Sequence, residues 1–249
     1  MLQAFLKGKL SREQENLEDI LTSSVFGALV YAPGRALLSL LALATYDDGT
    51  PVLEFQSSRL KMVSAEFWPT YRCQGVGATE PDIVIELEDM LGRRQVVLVE
   101  VKLNSGKSSS PIADSIEIGD QLAREWCVLI ERCRGSGSQP HLLYVTADPR
   151  YPELDVRESQ REFESKRAAL AREFPFRCAW ISWSKIATAF REVEDPVLRD
   201  ISMVCERLDL VPFAGISGLS TFPLSWRFSP KEMRFRFSCE PITLSWSYR

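Results

Sequence analysis

Residues 82–103, DIVIELEDMLGRRQVVLVEVKL, constrain the fold more than any other stretch of the chain. Two apolar runs, Asp82–Leu87 and Gln95–Leu103, flank the turn-prone EDMLGRR, which is the pattern of two strands joined by a hairpin. A hairpin centred near Leu91 pairs residue 82 with residue 100, each nine positions from the centre. Asp82 then faces Glu100, with Cβ atoms ~4.5–5.5 Å apart. Strand alternation puts Glu100 and Lys102 on the same side. Two facing carboxylates repel, and nothing in a stable fold requires them. Charges inside so apolar a run are rare unless paired or functional. A divalent cation relieves the repulsion, and oxygen ligands suit Mg²⁺. Lys102 sits where it stabilises a developing anion or helps activate a water, the chemistry of phosphodiester hydrolysis. The plainer alternative is a surface salt bridge.

The rest of the chain frames this hairpin. Ser11 caps a helix whose apolar residues run at helical spacing from Leu17 to Leu29, ended by Pro33-Gly34. ALLSLLALATY reads as a short buried helix, and KMVSAEFW, residues 61–68, as a strand. Beyond the hairpin, an amphipathic helix is expected from Pro111 to about Arg134, with Ile118, Leu122, Trp126, Leu129 and Cys133 facing inward. HLLYVT and RCAWISW are strands, with helical REFESKRAALAREF between them. Residues 184–209 form two helices broken at Asp195-Pro196. This order predicts an α/β fold with a mixed sheet flanked by helices. It spans residues 1–210, with 211–249 as a C-terminal extension or small subdomain.

Composition removes several chemistries. The net charge of −4 excludes a wholesale basic coat, so any nucleic-acid site is local. Six cysteines without a CxxC pair and a single histidine, His141, fit buried free thiols in a cytoplasmic protein better than a zinc site. One histidine also removes Ser-His-Asp hydrolases and HExxH proteases in their usual patterns. Apolar runs fall far short of the ~20 residues of a membrane helix.

The pattern PD-x17-ExK, between two helices, resembles the PD-(D/E)xK phosphodiesterase superfamily over roughly residues 10–185. The resemblance implies a restriction-endonuclease-like fold. It also implies Mg²⁺ held by Asp82, Glu100 and the carbonyl of Val101, with Mn²⁺ as a substitute. Lys102 takes the place of the family lysine. Many members add an acid from the first helix. Glu15 is the choice here and Glu18 its substitute, because both lie in a stripe with Thr22 beside the apolar face. A solvated acidic first turn explains the same residues. Some relatives carry QxxxY on the helix after the motif; Gln121 matches the glutamine, but Glu125 stands where the tyrosine belongs. The segments ENLEDILTSSVFG and FWPT are also similar to bacterial nuclease-like proteins linked to phage defence.

Phosphate contacts are expected in two places. Lys107, in the loop NSGKSSS, either grips phosphate or belongs to a flexible linker. In MRFRF, Arg234 and Arg236 share one face of a strand, which fits a phosphate clamp or an ordinary charged edge strand. The expected function is a Mg²⁺-dependent nuclease acting on DNA ahead of RNA, with a partner protein or homo-oligomer left open. The alternative is a non-catalytic or partner-dependent module that binds nucleic acid or protein on the same fold.

Overall fold

The computed structural model describes residues 18–32, 36–53, 60–73, 76–103, 107 and 117–211. In chain order the elements are α1 (Glu18–Tyr31), α2 (Ala36–Leu43), β1 (Lys61–Phe67), β2 (Tyr71–Cys73), β3 (Gly77–Thr79), β4 (Ile83–Glu88) and β5 (Arg94–Val101). There follow α3 (Gln121–Ser136), β6 (Gln139–Thr146), α4 (Glu153–Lys166), α5 (Ala168–Glu173), β7 (Cys178–Ser182), α6 (Trp183–Phe190) and α7 (Pro196–Arg207). The chain divides into two units, Met1–Pro212 and Phe213–Arg249, and every described residue lies in the first.

The hairpin forms in the expected register. β4 and β5 are antiparallel from Ile83↔Val99 to Glu88↔Arg94, every pair equidistant from Leu91. Asp89 makes the turn. Its backbone N–H donates to the Arg93 carbonyl (3.0 Å), and its carbonyl accepts from the Gly92 N–H (3.0 Å). Its carboxylate accepts from the N–H groups of Leu91 and Arg93. Gly92 has φ +75°, the left-handed conformation in which a side chain is unfavourable.

Around this hairpin a five-stranded mixed sheet is built in the order β1-β4-β5-β6-β7. β1 joins β4 antiparallel, while β5, β6 and β7 run parallel. Alternation then sorts the side chains into two layers. Ile83, Ile85, Val97, Val99, Leu143 and Ile181 pack with Leu21 and Phe26 of α1, Leu40 of α2, and Ile186 and Ile201 of α6 and α7. Val84, Val96, Leu98, Leu142 and Tyr144 pack on the opposite face with Leu122 and Trp126 of α3 and Phe163 of α4. The fold is therefore α/β/α. Leu98 is 1% exposed, so truncation to Ala should cost about 2–5 kcal/mol.

Two boundaries differ from expectation. The helix expected from Pro111 begins at Gln121; residues 117–120 are not helical, and 108–116 lie outside the described residues. Asp120 sets the start. Its backbone is extended, and its carboxylate accepts the Ala123 N–H, the geometry of an N-cap. Helix α4 begins at Glu153, eight residues before REFESKR, in a segment whose charged residues leave little apolar periodicity.

Candidate active site

One step beyond Ile83↔Val99, the β4–β5 register brings Asp82 to the position opposite Glu100. β4 has ended there, and a side chain replaces its backbone: Asp82 Oδ2 accepts the Val101 N–H at 2.7 Å. The next residue's N–H turns the other way and donates to the Val145 carbonyl of β6 (2.7 Å). Backbone groups alternate sides along a strand, so the Val101 carbonyl shares the Asp82 side with its N–H. Trp183 Nε1 donates to the Lys102 carbonyl, fixing the end of β5.

Glu100, 2% exposed, is the centre of the cluster. Its Oε1 accepts from Gln121 Nε2 (2.6 Å) and pairs with Lys102 Nζ (2.6 Å). Its Oε2 is buried without a hydrogen-bond partner. Lys102 Nζ also reaches Glu18 Oε1 of α1 (3.0 Å), while Glu18 Oε2 accepts the Leu103 N–H (2.8 Å). Glu18 thus brings the first helix to the motif. Glu15 lies outside the described residues. Thr22, one turn along α1 from Glu18, is fully buried and its hydroxyl has no partner.

The charges are unbalanced. Asp82, Glu100 and Glu18 surround one lysine. Burial, and next the Glu100 carboxylate, push Asp82 up to about 7. Burial also raises Glu100, and the nearby Lys102 only partly offsets this. For Lys102, burial acts downward, but Glu100 and Glu18 outweigh it and lift the ammonium above its ordinary range. Glu125 is wholly buried, and burial together with the Glu100 charge holds it well above the carboxylate range. Glu125 Oε1 accepts from Gln121 Nε2 (3.1 Å), the same amide that donates to Glu100.

Sequence reasoning noticed Glu125 only as a missing tyrosine. The available signal was an acid one helical turn after Gln121, on the face that carries Leu122, Trp126 and Leu129 inward.

Lys107 differs from its expected role. Its ammonium is held by Asp120 Oδ2 (2.5 Å), the Asp155 carbonyl (3.0 Å) and Ser159 Oγ (3.3 Å), with Glu158 at 3.5 Å. The side chain is 4% exposed. It ties the N-terminus of α3 to α4 and presents no free charge to a phosphate. Arg234 and Arg236 lie outside the described residues.

Among the described residues, no group of three or more His, Cys, Asp or Glu side chains is arranged to hold a metal, and no helix is long and apolar enough to cross a membrane. Among the described residues, the thiols of Cys73, Cys127, Cys133, Cys178 and Cys205 are buried and form no disulfide. No family model matches the chain, and neither a curated protein nor a solved structure matches it.

Proposed function

We propose that this chain is a Mg²⁺-dependent nuclease of restriction-endonuclease-like fold that hydrolyses phosphodiester bonds, in DNA ahead of RNA. The observation that carries the reading is the buried group of Asp82, Glu100 and Lys102 at the shared end of two central strands, with Glu100 Oε2 unpartnered. Buried polar atoms are normally satisfied, and an orphaned carboxylate oxygen in a cluster with excess negative charge suits a cation. Asp82, Glu100 and the Val101 carbonyl supply the all-oxygen donors that Mg²⁺ or Mn²⁺ prefers. When bound, such an ion polarises a phosphoryl oxygen and acidifies a water.

The protein residues divide the remaining work. Lys102 stays protonated across the physiological range because Glu100 and Glu18 stabilise its charge. It therefore acts as a fixed cation against the charge that grows on the attacked phosphate, not as a general base. Gln121 fixes the Glu100 carboxylate through a 2.6 Å hydrogen bond. Glu125 Oε1 accepts from the same Gln121 amide and helps hold it in place.

A second reading has one observation in its favour. Lys102 is already paired with Glu18 and Glu100, as in a structural ion cluster. A non-catalytic or partner-dependent binding module would look the same. The test incubates wild type and Lys102→Met with single- and double-stranded DNA and RNA, in Mg²⁺ or Mn²⁺. Loss of one charge-stabilising donor should lower the cleavage rate by about 10²–10³-fold. Absence of metal-dependent cleavage in wild type, or equal cleavage by the variant, defeats the nuclease assignment. Failure of the isolated chain to bind either ion would favour the binding module.

A further inference from the structure

A pocket of about 480 Å³ is lined by Ser23, Ser24, Gly27, Ala28 and Tyr31 of α1, and by Phe67 and Trp68 at the end of β1. Its size falls within the ~300–1,000 Å³ of small-molecule sites. The pocket adjoins the candidate active site through the backbone. Phe67 pairs with Ile83, and the Trp68 N–H donates to the Asp82 carbonyl at 2.9 Å. Trp68, Asp82 and Glu100 therefore continue three neighbouring strands at the same end of the sheet.

Trp68 takes an unusual backbone to get there. Successive strand residues face opposite sides, yet Phe67 and Trp68 both line the pocket. The break in alternation coincides with φ +50° at Trp68, a left-handed conformation unfavourable for a bulky side chain and more so before Pro69. Strain of this kind persists only where surrounding structure enforces it, and it concentrates at functional sites. The Phe67 and Trp68 rings are 5.6 Å apart. Both aromatic rims remain open, with Trp68 36% and Tyr31 87% exposed. Deeper in, Ser24 is 3% exposed, and its hydroxyl has no hydrogen-bond partner.

From this geometry we infer that the pocket is a subsite for one unpaired nucleobase of a single-stranded nucleic acid, stacked on Trp68 and hydrogen-bonded at its edge by Ser24. The inference rests on the nuclease reading and names its substrate class. A base has a flat π-face and a hydrogen-bonding edge. The wall offers aromatic rings, the helix offers the small residues Gly27 and Ala28 that leave room, and Ser24 offers an unused hydroxyl. A paired base in a duplex presents neither a free face nor a free Watson–Crick edge. DNA and RNA share this chemistry.

The test measures binding of the full-length chain, in Ca²⁺ in place of Mg²⁺, to a fluorescently labelled single-stranded DNA, the matching RNA, an abasic strand of equal length and a duplex. Trp68→Ala should weaken binding to the base-bearing strands by about tenfold, the effect of losing one stacked base. Trp68→Phe should restore most of it, and the exposed Tyr31→Ala should weaken it less. On the abasic strand and the duplex, Trp68→Ala should match wild type. A response on only one of DNA and RNA would identify which polymer fills the subsite. Wild-type affinity of Trp68→Ala for base-bearing strands, or equal losses on normal, abasic and duplex probes, would overturn the subsite. The readout needs no cleavage, so it separates from the nuclease assignment: intact Mg²⁺ cleavage with no Trp68 effect removes the subsite alone, and a Trp68 effect without cleavage removes the activity alone.

Discussion

Two buried lysines, Lys102 and Lys107, stand only five positions apart and occupy opposite electrostatic situations. Lys107 is satisfied. Asp120, a backbone carbonyl and Ser159 surround its ammonium, and Asp120 is itself the cap of α3. Nearby, Glu162 accepts the N–H groups of Gly119 and Asp120 and pairs with Lys166. Lys102 is outnumbered. Two carboxylates contact it, a third stands beside Glu100, and Glu100 keeps an unpartnered oxygen. A balanced buried ion cluster organises structure. An unbalanced one, with a raised aspartate, retains a demand for positive charge and is the better place to look for chemistry.

The contrast is sharpest in stability. Lys107→Met leaves the Asp120 carboxylate buried against apolar groups, and breaking such a pair should destabilise the fold by about 3–5 kcal/mol, read by urea denaturation. Cleavage by the molecules that remain folded should change little, because Lys107 touches no residue of the Asp82 group. If Lys107→Met instead folds normally and loses affinity for DNA with a shallower salt dependence, Lys107 grips phosphate and the contrast between the lysines collapses.

The unbalanced cluster should show the opposite sign. Asp82 has a folded pKa of about 7 against an ordinary 3.8, so the folded protein holds this proton more tightly than the unfolded chain. Stability contributed by the protonated form is present below pH ~4 and is lost as pH rises toward 7. Asp82→Asn keeps an acceptor for the Val101 N–H and removes the ionisation. In EDTA at pH 8 it should be more stable than wild type, on the order of 3 kcal/mol, with a flatter profile between pH 4 and 7. Saturating Mg²⁺ should reverse the ranking by stabilising wild type by about 4.1 kcal/mol at a thousandfold excess over Kd. Destabilisation of Asp82→Asn in EDTA at every pH would mean that the aspartate serves as a structural acceptor.

The contrast also marks what sequence can disclose. The hairpin was legible because its register depends on local turn chemistry and on apolar alternation, and the Asp89–Gly92 turn obeys both. Glu100 and Lys102 were legible as charges interrupting an apolar strand. The stripe on α1 was legible too, but Glu18 reaches Leu103 and Lys102 through tertiary geometry that no helical wheel contains. The partners of Lys107 were not legible, because they lie 13 and 48–52 residues away. Loop composition says nothing about such contacts. Glu125 stands at the tyrosine position of QxxxY, where the pattern gives an acid no role, and the turn of Trp68 toward α1 depends on a single positive φ.

Substrate grip offers the smallest and most diagnostic effect. If both buried lysines are committed internally, the phosphates must be held by other cations, and Arg234 and Arg236 of MRFRF are two the sequence supplies. Replacing both by Ala should flatten the slope of log K against log[salt] on duplex DNA by ~0.9 per lost phosphate contact, up to ~1.8 in all. Turnover at saturating substrate should barely move, because neither arginine belongs to the Asp82, Glu100 and Lys102 group. The same titration on Lys107→Met completes the comparison. A slope that changes with the arginines but not with Lys107 assigns the electrostatic grip to the C-terminal segment and leaves Lys107 as scaffold. A slope that is unchanged by the double arginine variant, with folding intact, removes the clamp and makes a partner protein the source of the missing positive charge.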